Sequence, residues 1–310
     1  MKKMFTRWIV LIVACLTLMV STATQSVSAQ QTYIPRPAPS LTLEQDGISV
    51  SLLFETLPQG GVGVVNVTGE GLSNVRASFL DDIISFFPVE NEGFYGILAA
   101  SMSQNPNGYM LDLVALREGG TSVTFNIEIP ITIGAFIRET VSVGEDRSYL
   151  VSPEIERAEF SRMDAVVGTI TGEILWDATR FTFPIDSELT SPYGSFRVMN
   201  ETTETRHTGW DLRAGVGTPV MAMGAGRVAF AGLLDIRGYQ VIIDHGYGVF
   251  SGYSHFSQVH VTQGQDISAG QIIGMVGNTG RSSGAHLHWE VMVNGYWINS
   301  ADFVRMWMPY

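Results

Sequence analysis

Cysteine and lysine are almost absent from this chain of 310 residues. Its one cysteine is Cys15, and its two lysines are Lys2 and Lys3. A mature chain starting at Gln30 would contain no thiol and would form no disulfide bond, even in an oxidising compartment. Its stability must then come from core packing or from a bound metal.

Positive charge is scarce as well. Lysine and arginine together number 18 against 30 acidic residues, which gives a formal net charge of −12. An acidic chain without a basic patch binds polyanions poorly. We therefore expect neither nucleic acid nor an anionic lipid surface as a partner, and the sequence leaves the oligomeric state open.

Long apolar runs are limited to the N-terminus. Three basic residues precede an apolar stretch at residues 8–20, and a polar segment ends with Val27-Ser-Ala29. This pattern predicts a signal peptide at residues 1–29 with cleavage after Ala29. The apolar stretch is shorter than the roughly 20 residues that span a bilayer, so we expect no stable membrane span after cleavage.

A second N-terminal pattern offers a lipid anchor as the alternative. Ile12-Val-Ala-Cys15 resembles a bacterial lipobox, in which Cys15 would carry the lipid. The apolar run continues from Leu16 to Val20, where lipoproteins usually turn polar, so simple export is favoured. The expected location is extracytoplasmic: secreted, periplasmic or in the cell wall.

The composition favours β structure. The chain has 33 glycines and 12 prolines, more than helical bundles usually carry. Residues 30–40 contain three prolines and predict an extended linker. Residues 41–137 alternate apolar with polar positions, as at Ile48, Val50 and Leu52, which predicts an N-terminal β-sandwich-like domain. This domain contains no histidine and no cluster of ionisable residues. We therefore expect it to bind a partner, to act as a spacer or to have a purely structural role.

Residues 138–180 are predicted to form a connecting segment with a short helix. Ser152-Pro153 followed by two acids marks a helix start, because proline suits the first helical position and acids stabilise a helix N-terminus. Residues 181–310 contain all six histidines and short β-type runs separated by glycines. The expected fold class is therefore mainly β, with a second, small antiparallel β domain at the C-terminus.

Two histidines near the C-terminus lie one residue apart on a predicted strand. Side chains of a strand alternate between its faces, so His286 and His288 point the same way while Leu287, Trp289 and Val291 point into a core. This is the geometry of a metal ligand beside a catalytic partner.

A second polar pair, His207 and Asp211, precedes this strand. Thr208 and Gly209 make a helix improbable here, so a loop entering a strand is the better context. Imidazole and carboxylate suit a borderline divalent metal, and catalytic zinc takes three protein ligands and one open position. His286 or His288 could supply the third ligand.

The remaining polar candidates are weaker. Tyr253 and His255 are predicted to share a strand face, where a lone histidine is usually structural. His245 is interpreted as a turn residue or as support behind a ligand, and His260 as an exposed strand residue. Glu290 shares the face of His286 and His288, where a solvated strand-end carboxylate is favoured over one that orients a ligand.

Residues from about 191 to 303 resemble the LytM/lysostaphin-type zinc metallopeptidases, the M23 family. The matching blocks are His207-Thr-Gly-Trp-Asp-Leu-Arg-Ala214, Gly217-Thr-Pro-Val-Met-Ala222, Gly226-Arg-Val228, Val241-Ile-Ile-Asp-His-Gly246, Tyr253-Ser-His-Phe-Ser257, Gly270-Gln-Ile-Ile-Gly274 and Gly277-Asn-Thr-Gly-Arg-Ser-Ser-Gly-Ala-His-Leu-His-Trp-Glu290. Seven blocks in one order are far more specific than any single block.

The resemblance implies a site and an activity. By it, His207, Asp211 and His288 would bind Zn²⁺, while His255 and His286 would be the catalytic histidines. It also implies an endopeptidase that acts outside the cytoplasm on peptidoglycan cross-links or stem peptides. Two positions depart from the family's usual residues: Trp210 stands where a small or aliphatic residue is common, and Ala285 where proline is common.

The local chemistry agrees with this interpretation. No His-Glu pair occurs in the chain, which excludes the helical His-Glu-x-x-His design with its glutamate base. The base must be another group, and His255 and His286 are the available choices. One alternative keeps the fold without catalysis, as a wall-binding protein or a regulator of other wall hydrolases.

A carrier of biotin or lipoate is excluded by the missing lysines. Gly264-Gln-Asp-Ile-Ser-Ala-Gly-Gln-Ile-Ile-Gly274 resembles the hairpin of such carriers, but these need an acceptor lysine and none follows Lys3.

Overall fold

The computed structural model describes residues 34–310. The signal peptide predicted at residues 1–29, the lipobox and the first residues of the predicted linker lie outside the described residues. Within residues 34–310, no helix has both the length and the apolar character needed to cross a membrane.

Nine strands form the first sheet. They are β1 (Leu41–Gln45), β2 (Ile48–Leu52), β3 (Leu57–Pro58), β4 (Val62–Gly69), β5 (Leu72–Phe79), β6 (Asp82–Val89), β7 (Gly93–Ala99), β8 (Gly108–Arg117) and β9 (Ser122–Thr132). Their spatial order is β1-β2-β4-β7-β6-β5-β8-β9-β3, and all pairs are antiparallel except β3 with β9.

The first sheet folds over a single apolar core. Its long strand β6 joins two halves, because the residues near Asp82 pair with β5 and those near Val89 pair with β7. Alternation along β2 and β9 sends every second side chain inward, and residues of both halves meet in the same buried cluster. The predicted sandwich-like, mainly β fold is thus observed.

One helix and one strand connect the first sheet to the rest. Strand β10 (Arg138–Val141) precedes a 3₁₀ turn at Glu145–Leu150 and helix α1 (Pro153–Val167). The helix starts where the sequence predicts, because the Ser152 hydroxyl accepts hydrogen bonds from the backbone N–H groups of Glu154 and Ile155. Met163 and Val167 of α1 pack onto the second sheet.

The C-terminal strands follow as β11 (Leu189–Ser191), β12 (Phe196–Met199), β13 (Thr203–Arg206), β14 (Trp210–Arg213), β15 (Pro219–Met221), β16 (Gly226–Leu234), β17 (Gly238–Gly246), β18 (Val249–Val259), β19 (Asp266–Ile267), β20 (Ile272–Val276), β21 (His286–Val293) and β22 (Tyr296–Ile298), then helix α2 (Ser300–Phe303). Ten of these strands form one antiparallel sheet around the central order β14-β21-β18-β17-β16. Strands β12 and β13 join β10 in a separate three-stranded sheet.

The two large sheets share a packing surface. The outer side of the first sheet places Val64, Phe87 and Tyr95 in the same buried cluster as the apolar face of the second sheet. Arg36 adds a polar contact, since its guanidinium lies over the rings of both Tyr95 and Trp307. Residues 34–310 consequently form one compact unit.

Candidate metal centre and active site

Two neighbouring strands of the second sheet bring the polar residues together. Asp211 of β14 pairs with His288 of β21. Gly209, just before β14, passes so close to β21 that a Cβ there would lie 2.3 Å from the Trp289 carbonyl oxygen. A larger residue at this position would separate the strands that carry the polar groups. As predicted, Leu287 and Trp289 point into the apolar core.

Three donor atoms converge on one point. The His207 Nε2 atom lies 3.1 Å from Asp211 Oδ1 and 3.0 Å from His288 Nδ1, and these last two atoms are 2.9 Å apart. Zinc bonds of about 2.0–2.1 Å in a tetrahedron separate neighbouring ligand atoms by about 3.3 Å. The triangle therefore fits one face of a zinc coordination sphere, and no other group of three or more such residues forms within residues 34–310.

In both His207 and His288, the ring nitrogen that points away from the triangle contacts an oxygen atom of the protein. His207 Nδ1 donates to the Pro192 carbonyl oxygen at 2.8 Å, and His288 Nε2 lies 3.1 Å from Glu290 Oε1. Because a neutral imidazole has one N–H, these contacts leave the lone pairs of His207 Nε2 and His288 Nδ1 inside the triangle. Burial lowers the pKa of His207 to about 4, which keeps it neutral and able to bind a metal.

The carboxylate of Asp211 is held in a single orientation. Its Oδ2 atom accepts from Arg197 Nη2, which also donates to Ser191, so that Oδ1 is the atom directed at the two histidines. Burial alone would raise the pKa of Asp211, but His207 and Arg197 hold it well below the usual value. The carboxylate is thus charged, as a metal ligand must be.

His255 and His286 stand beside the triangle with their rings 4.7 Å apart between centroids. His255 Nδ1 donates to the Thr279 carbonyl oxygen at 2.7 Å, and His286 Nδ1 donates to that of Gly284 at 2.8 Å. In the neutral form of each ring, the lone pair is therefore on Nε2. His286 Nε2 is 3.5 Å from Asp211 Oδ1, which places it at the edge of the triangle.

His255 reaches this position through a break in strand alternation. Tyr253 pairs with Trp289, and its ring lies in the core, where its hydroxyl accepts from the Met223 backbone N–H. Regular alternation would bury His255 on the same side. Its left-handed backbone, at φ 63°, instead turns the ring toward His286. The prediction that Tyr253 and His255 share a face is wrong.

Glu290 is fully buried and is not a solvated strand-end carboxylate, so the favoured interpretation of it is wrong. It accepts from Thr208 and from Arg237 in addition to its contact with His288. Burial would raise its pKa, but Arg237 and His288 hold the pKa well below the usual range. Strand alternation indicated its face correctly but carried no information about what covers that face.

The other sequence candidates lie away from the triangle. His245 is buried against Phe181 and hydrogen-bonds to the Ala225 carbonyl oxygen and to Ser251. His260 is exposed, just beyond the end of β18 rather than within it. Trp210 donates to Asn299 on the opposite side of β14, so this departure from the family pattern leaves the donor atoms unobstructed.

A cleft of about 400 Å³ opens above the five polar residues. One wall is the three-stranded sheet, and the other is the loop that contains Ala285. Residues to which the sequence assigned no role in the site also line it: Glu139, Glu156, Phe160, Arg197, Arg206, Arg213, Arg237 and Arg281. The four histidines of the site and Asp211 all line this cleft.

The fold and the site define a mainly β protein with a three-donor centre suited to zinc. Residues 205–300 match the model of Peptidase family M23, and this part of the chain belongs to that family. The resemblance seen in the seven motif blocks is thereby confirmed.

Two relatives named as endopeptidases are similar to this chain over a comparable length. Peptidoglycan DD-endopeptidase ShyA of Vibrio cholerae is 37% identical over 121 residues, which cover 38% of this chain and 28% of that protein. DD-carboxypeptidase/endopeptidase Mpg of Neisseria meningitidis is 40% identical over 113 residues, covering 36% of this chain and 26% of that protein. The chain thus spans under a third of the length of these relatives.

A solved structure matches more of the chain. The crystal structure of a putative peptidase M23 from Pseudomonas aeruginosa has a TM-score of 0.61 and 25% identity, and the match covers 82% of this chain and 96% of that one. The first sheet spans residues 41–132, and the rest of the chain is about 70% of its length, so a match over 82% includes part of the first sheet.

Proposed function

We propose that this protein is a zinc-dependent endopeptidase that hydrolyses peptide bonds in peptidoglycan, in its cross-links or its stem peptides. Membership of the M23 family supports hydrolysis of peptides, and the name of the Vibrio cholerae relative above supports peptidoglycan as the substrate. Action on this polymer agrees with the export predicted from residues 1–29. We propose the boundaries predicted from the sequence, at residues 41–137, 138–180 and 181–310, as those of its domains.

His207, Asp211 and His288 are the proposed zinc ligands. Their donor atoms form a triangle with edges of 2.9–3.1 Å, and two imidazoles with one carboxylate are a donor set that zinc prefers. Bound zinc would supply Lewis-acid chemistry, polarising the scissile carbonyl and lowering the pKa of water to about 7.

His255 and His286 are the proposed proton-transfer residues. Each has its Nδ1–H fixed on a carbonyl oxygen, so each Nε2 accepts a proton without a change of ring orientation. Burial, with His286 and His288 nearby, holds the pKa of His255 well below its usual value. The neutral form of His255 is therefore present near neutral pH and can take a proton from water or pass one to the leaving amine.

The observation that carries this proposal is the convergence of three ligand atoms beside two imidazoles with free Nε2 lone pairs. The test is to measure the zinc content of the purified protein and its release of peptides from purified peptidoglycan. We expect about one zinc per chain, loss of release on chelation and recovery on adding zinc. Stoichiometric zinc without any release from walls of several chemotypes would instead support the non-catalytic alternative.

A further inference from the structure

A chain of buried charges runs from His288 to helix α1. Glu290 is 0% exposed, Arg237 is 3% exposed and Glu159, at the middle of α1, is 2% exposed. Their contacts are direct: Arg237 Nη2 donates to Glu290 Oε1 at 2.6 Å, and Arg237 Nη1 donates to Glu159 Oε1 at 3.0 Å. Glu159 lies outside the segment that matches the M23 model.

Glu290 has both carboxylate oxygens occupied. Oε1 faces His288 Nε2 and accepts from Thr208 and Arg237, and Oε2 accepts from Arg237 Nε at 2.9 Å. A carboxylate with two of its contacts from one guanidinium has a fixed plane. The direction in which His288 Nε2 can donate is thereby fixed by Arg237.

Arg237 is itself held from three sides. It lies in the turn between β16 and β17, with its guanidinium over the rings of Phe160 and Trp297 at 5.3 and 5.8 Å from their centroids. These rings exclude water from the ion pairs and add cation–π attraction. The Arg237 carbonyl oxygen also accepts from the backbone N–H of His255 at 2.8 Å, so the same turn supports the left-handed residue of the site.

Glu159 fixes the backbone of that turn as well as the guanidinium. Its carboxylate accepts from the backbone N–H groups of Ile236 and Arg237, at 2.6 and 3.2 Å. Removing its charge would release the turn and leave Arg237 with one acidic partner instead of two.

We propose that Glu159 and Arg237 are positioning residues of the metal centre: they hold Glu290 where it accepts from His288 Nε2, and so aim His288 Nδ1 at His207 and Asp211. The inference rests on the zinc site of the proposed function. On this proposal, helix α1 helps to orient the metal ligands in addition to connecting the two large sheets. A buried ion pair adds little to stability compared with well-packed apolar residues, so a positioning role gives these charges a purpose that packing alone does not.

The test uses the full-length protein with Glu159→Gln, Arg237→Lys and Glu290→Gln variants. Asp164→Asn is the matched control, because Asp164 is an exposed acid on the same helix. Zinc affinity is measured by competition with a chromophoric chelator, and the absorption spectrum of the cobalt-loaded protein reports the arrangement of the ligands. Circular dichroism of the metal-free form shows which variants are folded.

We expect zinc affinity to fall on the order of 10–100-fold in Glu159→Gln and in Arg237→Lys, the range typical of groups that orient a metal ligand. The cobalt spectrum should shift in both, while Asp164→Asn keeps the wild-type affinity and spectrum. Folded Glu159→Gln and Arg237→Lys proteins with unchanged affinity and spectrum would overturn the proposal.

A double variant shows whether Glu159 acts through Glu290. Two residues of one chain of contacts have non-additive effects, so Glu159→Gln should weaken zinc binding little further when Glu290 is already glutamine. Fully additive losses would contradict the positioning role. Failure of the proposed function is distinguishable, because a wild-type protein that binds zinc but releases no peptide removes the activity and leaves the positioning result intact.

Discussion

The two large β sheets bury very different side chains. In residues 41–137, all of them described, Asn66 is the only buried residue that is polar, tyrosine aside. The region from residue 138 onward buries a long series: Glu159, Ser195, His207, Thr208, Asp211, Arg237, Gln240, Asp244, His245, Ser251, Ser254, His255, Ser282, His288, Glu290 and Ser300. Both regions nevertheless fold as mainly antiparallel sheets with apolar cores.

This difference separates what a β fold requires from what a site requires. Burial of a polar group costs free energy unless it is hydrogen-bonded, and burial of a charge costs more. The first sheet shows that such groups are not needed to fold. In the second region, the number of such groups around His288 is explained by the proposed zinc centre, whose ligands would need fixed orientations.

The largest effect is expected from Asp211→Ala. Loss of the carboxylate removes one ligand and leaves two imidazoles, so zinc should fall from about one per chain to near none, and peptide release should fall to background. The control is Asn66→Ala, the buried polar position of the first sheet. It should destabilise the protein by about 1–3 kcal/mol, because its backbone partners lose a hydrogen bond, while zinc content stays at the wild-type level. Equal zinc loss in both variants would contradict the view that only the buried polar groups of the second region serve zinc binding.

A core substitution in the first sheet should lower the stability of the protein and leave its zinc affinity unchanged. Leu111 is fully buried in the apolar cluster of that sheet, and Leu111→Ala should lower the free energy of unfolding by about 2–5 kcal/mol. The ligand geometry lies in the other sheet, so zinc affinity of the folded fraction should not change. Urea unfolding and chelator competition measure the two quantities. Weakened zinc binding in folded Leu111→Ala would show that the sheets are coupled.

The smallest expected effect concerns acid stability. Burial lowers the pKa of His245 to about 4, whereas an unfolded histidine has a pKa of about 6.5. Between these values the unfolded state binds a proton that the folded state does not, so stability falls as the pH drops from about 6.5 toward 4. In metal-free protein, His245→Gln should reduce the steepness of this fall, measured by urea unfolding at several pH values.

The control for this measurement is His260→Gln, which changes an exposed histidine. Its stability should follow the same pH dependence as the wild type. An unchanged slope in His245→Gln would show that this histidine is accessible to protons in the folded protein.

Much of the site was accessible from strand periodicity and motif spacing. Alternation placed His286, His288 and Glu290 on one face and Leu287 on the other, and the structure agrees. The alternation along β21 is confirmed because a period of two is a local property of a strand. His207, Asp211 and His255, which the sequence also singles out, lie beside this strand in the structure.

The remaining features depend on contacts between distant parts of the chain. Glu159 and Arg237 are 78 residues apart, and nothing in the spacing of either one indicates an ion pair. The orientation of His255 depends on a left-handed backbone, which breaks the alternation used to predict its face. Glu290 is buried against Arg237, whose second acidic partner lies on α1, and the packing partner of this helix could not be deduced from its own sequence.

The central claim, that metal binding and proton transfer are divided between neighbouring histidines of one strand, is tested most directly by His286→Ala. Zinc content and peptide release from purified peptidoglycan should be measured on one preparation, beside the wild type. The account predicts that most of the zinc is retained, because His286 contributes no atom to the ligand triangle, and that peptide release is abolished. Retained release, or loss of zinc equal to that of Asp211→Ala, would contradict it.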